Sequence, residues 1–258
     1  MGRPAIIAMI FILSWLHSVA QGEILKTTSM TVGYSQSDFR YLRGEGTFFY
    51  DYGSDSPVLV LSTEKLFLSI GYGTQQATPL IGQPSLMMLD VSFRMGKNIN
   101  LFSSLAQLPF GMFVPLRSNV DYLRVAIRNS EAHAGKPNIN LLGVTSGLGV
   151  GGRIQLENFH PTLTVVATLV SSVGILSDLS EKQESVLRLA RTTDFNVEAR
   201  TGPLLKDRYG ITVGFTFRSL RWTNENPESF KEVMQAIGQP SRVPKRRGQV
   251  LFRIGLNW

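Results

Sequence analysis

Charged residues recur at alternate positions in several extended stretches of the sequence, and their chemistry depends on what those stretches enclose. If the stretches surround a lumen, ten charges are candidates to line it: Asp90, Arg94, Arg124, Arg128, Arg153, Arg188, Asp194, Glu198, Arg218 and Arg253. Rings of arginine in such a lumen would favour anions. Alternatively, arginines opposite carboxylates would form a buried, hydrogen-bonded ladder. The narrow lumen expected of a small barrel favours the ladder over an open pore.

Histidines offer little for catalysis here. The sequence holds 3 histidines: His17 near the N-terminus, His160 at a predicted turn, and His133 beside Glu131 in a predicted loop. No HExxH, GxSxG, phosphate-loop or dinucleotide fingerprint occurs. A loop histidine beside one carboxylate does not supply a nucleophile, a base and an orienting group. We therefore expect no enzyme activity, no catalytic or metal site and no cofactor.

The elements that carry the charges have the period of two that is typical of β-strands. In 208–222, Val213, Phe215 and Phe217 share one face, while Thr216 and Arg218 lie on the other. Strands are predicted at 24–34, 39–52, 57–72, 86–103, 110–128, 139–156, 160–174, 185–200, 208–222 and 249–258. One apolar and one small or polar face predict an all-β fold, an antiparallel transmembrane barrel of about ten strands, between eight and twelve.

The connections between these predicted strands alternate in length. Counted back from the C-terminus, the long ones are 223–248, 175–184, 129–138 and 73–85, and the short ones are 201–207, 157–159, 104–109 and 53–56. Only 35–38 breaks the trend. Transmembrane barrels have long extracellular loops and short periplasmic turns, so the alternation supports the same architecture.

The longest connection contains the one predicted helix. Asn226 is a suitable N-cap, Pro227 suits the first helical position, and Gly238 can end the helix. One apolar stripe follows the helix: Phe230, Val233, Met234 and Ile237. We expect a short amphipathic helix in the last extracellular loop, packed on the barrel mouth. A plug inside the lumen and a helix on the membrane surface are the alternatives.

Two features disturb the regular alternation. Pro115 lies inside a predicted strand and implies a bulge, an edge or a break. Several glycines crowd another strand: Gly143, Gly147, Gly149, Gly151 and Gly152. No helix follows them, so they do not form a phosphate-binding loop. We expect them to allow bending, close strand approach or room for a neighbouring side chain.

The N-terminus has the features of a secretory signal. An apolar run, 5–16, follows Arg3, and Ser18 and Ala20 have the spacing of a signal-peptidase site. We expect a cleaved signal peptide at 1–20 and a single domain at 21–258. The run is too short to span a bilayer as a helix. Export makes nucleic acid an unsuitable partner, despite the net charge of +7.

Composition agrees with a membrane barrel that is held together without cysteine. Charged residues make up 17% of the chain, below the about 25% of a typical soluble domain. Hydrophobic residues make up 43%, and no segment after the N-terminal run is long and apolar enough for a spanning helix. Dispersed apolar residues at alternate positions fit a barrel. The absence of cysteine excludes a disulfide framework and a cysteine-based metal site.

The last strand carries the clearest likeness to a known class. Its outer face is formed by Phe252, Ile254, Leu256 and Trp258, and the chain then stops on this aromatic residue. An exported, cysteine-free chain that ends this way resembles the bacterial outer-membrane β-barrel proteins as a class, with no subfamily assigned. The resemblance implies that these residues form the barrel-closing strand. It also implies recognition of that strand by the barrel-assembly machinery and a place in the outer membrane of a Gram-negative cell.

A basic cluster precedes the last strand: Arg242, Lys245, Arg246 and Arg247. In an extracellular loop these residues would contact phosphate-bearing lipid head groups, although a solvated loop is an equal alternative.

Three functions agree with these observations. The first is an integral outer-membrane barrel that is a narrow, weakly anion-preferring pore or a structural surface protein. The second is an accessory barrel of a secretion, adhesion or envelope-assembly complex, with another envelope protein as its partner. The third is a soluble periplasmic β-sandwich that binds a ligand.

Overall fold

The chain forms a closed β-barrel. The computed structural model describes residues 29–43, 48–63, 65–76, 85–101, 110–128, 139–156, 161–179, 187–204, 208–222 and 246–258. Its strands are β1 (Ser29–Arg43), β2 (Phe48–Ser62), β3 (Leu66–Gln76), β4 (Ser85–Asn100), β5 (Phe110–Arg128), β6 (Ile139–Leu156), β7 (Leu163–Asp178), β8 (Leu187–Thr201), β9 (Gly210–Trp222) and β10 (Arg246–Asn257). Each pairs antiparallel with its neighbours in the chain, and β1 pairs with β10 to close the barrel. The all-β antiparallel barrel expected from the alternation is confirmed.

The connections define two ends of the barrel. One end carries 44–47, 77–84, 129–138, 179–186 and 223–245, and we call it the long-loop end. The other carries 63–65, 101–109, 157–162 and 202–209, and we call it the short-turn end. The length contrast is clear for 223–245 but fails for several other connections. The connections 44–47 and 63–65 are both short, 101–109 is one residue longer than 77–84, and 202–209 is as long as 179–186. Among the described residues there is no helix long and apolar enough to cross a membrane.

The predicted strands match β4 to β10 within a few residues, but the first two predicted turns are wrong. The stretches 35–38 and 53–56 lie inside β1 and β2, where Ser35 pairs with Ser56 and Ser37 with Ser54. Serine, glycine and aspartate are common in turns, which explains the prediction. Here the serines are small interior residues instead, and Ser35, Ser37 and Ser56 are buried.

The proline and the glycines have local roles that the strands show directly. β5 continues through Pro115, and its pairing with β6 is interrupted without any change of register. A Cβ at Gly147 would collide with the carbonyl oxygen of Ser171, and one at Gly151 would enter the ring of Phe113. These glycines therefore permit close strand approach and room for a neighbouring ring, as expected.

The pleat gives the barrel an apolar outside. Val32, Leu148 and Phe252 are exposed by 59%, 61% and 60%. The buried residues include many serines, threonines and ionised side chains, such as Asp121 and Arg253. This distribution is the reverse of the one found in a water-soluble domain.

Several predicted features lie outside the described residues. They are the signal peptide at 1–20, the helix at 226–238, and the loop histidines with Glu131: His133 and His160.

Candidate functional site

The middle of the barrel interior holds a cluster of ionised side chains. Its members come from β4, β5, β8, β9 and β10, and we call them the interior charge cluster: Asp90, Arg94, Asp121, Asp194, Glu198, Arg218, Arg247 and Arg253. All of them except Arg94 are buried, and Arg94 is mostly so. The period of two places each on the inner face of its strand.

Arg218 on β9 joins three other strands. Its Nη2 donates to Asp121 Oδ2 at 2.5 Å, and its Nη1 donates to the other oxygen of the same carboxylate. Nη1 also donates to Ser92 Oγ at 2.5 Å, and Ser92 in turn donates to Asp121. The Nε lies 3.2 Å from Asp194 Oδ1. Such a two-pronged arginine–carboxylate pair is strong and fixes orientation as well as charge.

Arg94 shares a carboxylate with Arg218. Its Nη2 donates to Asp194 Oδ1 at 3.2 Å, and its Nε donates to Asn119 Oδ1 at 3.2 Å. Its guanidinium also lies over the ring of Phe67, 4.9 Å from the centroid. Cation–π contacts of this kind add attraction where water is excluded. Arg94 is therefore held by a charge, an amide and an aromatic face at once.

Arg253 extends the cluster toward the short-turn end. Its Nη2 donates to Glu198 Oε2 at 2.5 Å, and its Nη1 donates to Thr216 Oγ1 at 3.0 Å. Its guanidinium lies 5.0 Å from the centroid of Phe67, so this ring contacts two arginines. Arg200 donates to the other oxygen of Glu198. Arg253 and Arg200 thus share the buried carboxylate of Glu198.

Arg247 extends the cluster toward the long-loop end. It donates to Asp90 Oδ2, which also accepts from Gln249 Nε2 at 3.0 Å. Gln249 donates to Ser35 Oγ at 2.9 Å. This arm connects β10 to β4 across the interior and to β1 beside it.

The interior becomes apolar between the interior charge cluster and the long-loop end. Nine buried residues, which we call the apolar cluster, line the lumen near the long-loop end: Met88, Leu123, Val125, Ile139, Leu141, Leu176, Ala190, Leu220 and Trp222. A cavity of about 10 Å³ lies between Leu141, Trp222 and the charged residue Asp121, which is room for a single water. Buried apolar side chains therefore occupy the lumen around this cavity.

The ten candidate lumen-lining residues divide into four groups, the last of which is Arg124 alone. Six are on the inner face and belong to the interior charge cluster: Asp90, Arg94, Asp194, Glu198, Arg218 and Arg253. Arg153 has the interior register but is exposed at the short-turn end. The side chains of Arg128 and Arg188 lie outside the described part of the chain.

The prediction that Arg124 lines the lumen is wrong, because the sequence suggested the wrong inner face for this part of β5. It is exposed on the outer face, because Leu123 and Val125 point inward into the apolar cluster. The prediction assumed that apolar residues face outward along the whole strand. That rule fails where the lumen itself is apolar.

The expected contact of the basic cluster with lipid head groups is wrong for Arg247. It is buried inside the barrel and bonded to Asp90, so it cannot contact lipid head groups. The side chains of the other three residues of that cluster lie outside the described part of the chain: Arg242, Lys245 and Arg246. The reason is that β10 begins earlier than predicted, at Arg246, and its alternation directs Arg247 inward.

Sequence reasoning missed Asp121, although a signal was present. Arg117, Asn119 and Asp121 alternate with Leu116, Val120 and Tyr122 along β5. Polar residues at every second position identify the inner face. The apolar residues that follow toward the long-loop end concealed this signal.

The chemistry of the cluster is mutual neutralisation. Each of its four carboxylates accepts hydrogen bonds from an arginine, or lies within salt-bridge distance of one. Within the described ranges, no group of histidine, cysteine or acidic residues could hold a metal ion. The arrangement fixes strands to one another across the lumen.

Comparison with known proteins identifies no family. No protein-family model matches the chain, and no curated protein matches it. The outer membrane protease OmpT from Escherichia coli is similar, with 7% identity and a TM-score of 0.38 over 90% of this chain and 95% of that one. The attachment invasion locus protein Ail of Yersinia pestis has 10% identity and a TM-score of 0.30, over 90% of this chain and 98% of that one.

A third similar structure is the translocator domain of the autotransporter NalP from Neisseria meningitidis. It has 12% identity and a TM-score of 0.29, over 99% of this chain and 97% of that one. These solved structures are outer-membrane barrels, the class that the sequence resembles. At these identities and TM-scores, the likeness carries no activity to this chain.

Proposed function

We propose that the chain is an integral outer-membrane barrel with a sealed interior, a structural surface protein rather than an open pore. The observation that carries the proposal is the inverted distribution of side chains. Large apolar residues are exposed outside, while ionised residues are buried and paired inside. A transmembrane barrel presents apolar side chains to lipid and polar ones to its lumen.

Aromatic residues support the membrane placement. Tyr209 and Trp258 are exposed near the short-turn end, and Tyr34 and Tyr72 are exposed toward the other end of the apolar surface. Membrane barrels carry aromatic girdles at both interfaces of an apolar band about 25 Å tall. Between these levels, β9 presents apolar residues such as Val213 outward. Water would be an unfavourable surrounding for this surface.

The filled interior supports a barrel that does not conduct. Arg218 and Arg253 extend into the lumen and bind carboxylates on other strands. The apolar cluster occupies the lumen between these arginines and the long-loop end. A narrow barrel has an interior that side chains can fill completely. A weakly anion-preferring pore would require this packing to open.

The proposal also includes export of the chain across the inner membrane and assembly of the barrel in the outer membrane. The predicted signal peptide at 1–20 would direct the chain across the inner membrane. Phe252, Ile254 and Leu256 lie exposed on β10, which pairs with β1 and closes the barrel. Recognition of this strand and Trp258 by the barrel-assembly machinery would place the barrel in the outer membrane.

The test combines three measurements on one preparation. Fractionation should recover the protein in the outer membrane, and boiling should change its mobility on a detergent gel. Purified barrel in planar bilayers should give no stable conductance steps. Anion-selective steps would favour the pore instead, and a soluble protein would contradict the membrane placement. Stable co-purification of one envelope protein would favour an accessory role in a secretion, adhesion or assembly complex.

A further inference from the structure

Arginines occupy directly facing positions on three neighbouring strands near the long-loop end. Arg191 on β8 pairs with Arg221 on β9, and Arg221 pairs in turn with Arg246 on β10. We call these three residues the arginine row. Directly opposite side chains in an antiparallel pair have Cβ atoms about 4.5–5.5 Å apart. The row therefore concentrates three positive charges within two strand spacings.

The arginine row belongs to the outer face of the barrel. Arg191 and Arg221 are exposed, while the next residue of β9, Trp222, is buried in the apolar cluster. Arg247 is buried in the interior, so the alternation of β10 puts position 246 on the outer face. The row is thus separated by the barrel wall from the carboxylates of the interior charge cluster.

The facing arginines are unfavourable to one another, since like charges at directly opposite strand positions are destabilising. Arg191 faces only Arg221 and an apolar residue of β7, and Arg221 faces only the other two members of the row. Carboxylates adjoin the line at its β1 end, where Asp38 is diagonal to Arg246 and Asp51 faces Arg40. Within the described ranges, neither Arg191 nor Arg221 forms an ion pair.

Exposed apolar side chains adjoin the row on its β7 side. Val173 faces Arg191 across the ladder, and Leu189 is the next outward residue of β8 toward the long-loop end. Both are exposed. By contrast, Arg221 and Arg246 are the outward positions closest to the long-loop end on their strands. The row therefore begins within the apolar surface and ends at the rim of the barrel.

A strip of small residues follows the row toward the middle of the apolar surface. Thr193, Ser219 and Gly248 face one another on the same three strands. One outward position further, Phe195 faces Phe217, and both rings are exposed. The arginines and the rings thus border a strip whose short side chains leave room for a bulky group.

We propose that the arginine row binds a lipid of the outer leaflet whose head group carries more than one phosphate. Arginine can hold phosphate by two parallel hydrogen bonds, and basic residues at a membrane surface attract anionic head groups. A phosphate monoester carries about −1.5 to −2 charges near pH 7, so three arginines require more than one. This inference rests on the proposed function, which puts the long-loop end at the outer leaflet.

The apolar neighbours favour a lipid over a soluble anion or an acidic protein segment. Val173 and Leu189 offer contacts to acyl chains beside the arginine that lies deepest in the apolar surface, Arg191. An arginine on the lipid-facing side of a barrel is costly, and the cost falls toward the interfaces. A lipid phosphate at this level would neutralise the charge where a soluble anion would have to enter the apolar region.

The test uses the full barrel refolded in micelles of a zwitterionic detergent and titrated with diphosphoryl lipid A. Native mass spectrometry should detect a saturable lipid adduct. Monophosphoryl lipid A keeps acyl chains and loses one phosphate, so it should bind more weakly, on the order of fivefold. Inorganic phosphate, which has no acyl chain, should not displace the lipid at equal concentration.

Variants of the barrel locate the site. Arg191→Gln combined with Arg221→Gln should weaken binding on the order of thirtyfold, or about fivefold for each arginine. Arg124→Gln is the matched control, because Arg124 is also exposed on the outer face but faces Leu89 and Asn140. This control variant should bind the lipid like the unchanged barrel.

Stability without the lipid gives a readout that a merely structural role would not produce. Arg221→Gln relieves repulsion between facing arginines, so it should raise the urea midpoint of the lipid-free barrel. Added diphosphoryl lipid A should raise the midpoint of the unchanged barrel more than that of the variant, because only a ligand that binds the folded state stabilises it. A lower midpoint in both conditions would mean that Arg221 serves packing alone.

Each adverse result has a distinct meaning. Equal binding by the double variant and by Arg124→Gln would overturn the site, and displacement by inorganic phosphate would overturn the lipid as its occupant. A barrel that fractionates with the outer membrane but takes up no diphosphoryl lipid A would overturn this inference and leave the proposed function intact. Binding at the row by a protein that is absent from the outer membrane would overturn the membrane placement alone.

Discussion

The two levels of the barrel interior are stabilised in different ways. In the interior charge cluster, Arg218 connects β9 to carboxylates on β5 and β8, so each bond depends on the placement of several strands. In the apolar cluster, Leu123 and Leu141 contribute volume and exclude water. A buried ion pair is costly when one partner is removed, whereas an apolar core tolerates swaps that keep its volume. We therefore expect the interior charge cluster to require particular residue types, and the apolar cluster to require only side chains of similar volume.

The largest effect should follow from removing the central arginine. Arg218→Met leaves Asp121 without its two-pronged partner in a buried setting. We expect a loss of about 3–5 kcal/mol in the free energy of unfolding. Urea unfolding of the refolded barrel in lipid would measure it. If Asp121→Asn in the same chain restores none of the loss, the cost comes from packing and not from an unpaired charge.

A cavity in the apolar cluster should cost somewhat less. Leu123 is buried in that cluster, and Leu123→Ala should lower the free energy of unfolding by about 2–5 kcal/mol. Leu123→Met nearly keeps the volume and should cost less than about 1.5 kcal/mol. The same urea titration serves for both variants. Equal losses for alanine and methionine would show that this level is as specific as the charged one.

The outer surface supplies a comparison with both interior levels. Phe215 packs against the rings of Phe195 and Phe252 on neighbouring strands. Phe215→Arg should cost about 2–4 kcal/mol if the residue lies near the middle of the bilayer. Unfolding from lipid vesicles measures this cost. A negligible change would put this face of the barrel in water and contradict the membrane placement.

The smallest effect is expected at the arginine whose position the sequence suggested wrongly. Arg124 is exposed on the outer face of β5. Arg124→Gln should change the free energy of unfolding by no more than about 0.5 kcal/mol. Arg247→Gln, which removes the charge from a buried arginine beside Asp90, is the matched comparison. Similar losses for the two would mean that burial does not separate these arginines.

The alternation of residues predicted most of the strands but not the first hairpin. Along β9, residues such as Phe217 and Arg218 alternate strictly, and the strand follows as expected. Along β1 and β2, serines and glycines in 35–38 and 53–56 indicated turns. Their partners across the hairpin decide otherwise, since Ser35 faces Ser56 inside the barrel. The pairing of β1 with β2 therefore overrode the local preference of these residues for turns, as tertiary context often does.

The sequence by itself determined the class of fold, because a period of two is a local property that each strand carries alone. It also identified six of the interior charges by residue type and alternation. Only the tertiary structure decided that Asp121 and Arg247 join them and that Arg124 does not. Which face of a strand points inward depends on what fills the lumen at that level. That filling is the joint product of strands far apart in the chain, and so no single stretch of sequence contains it.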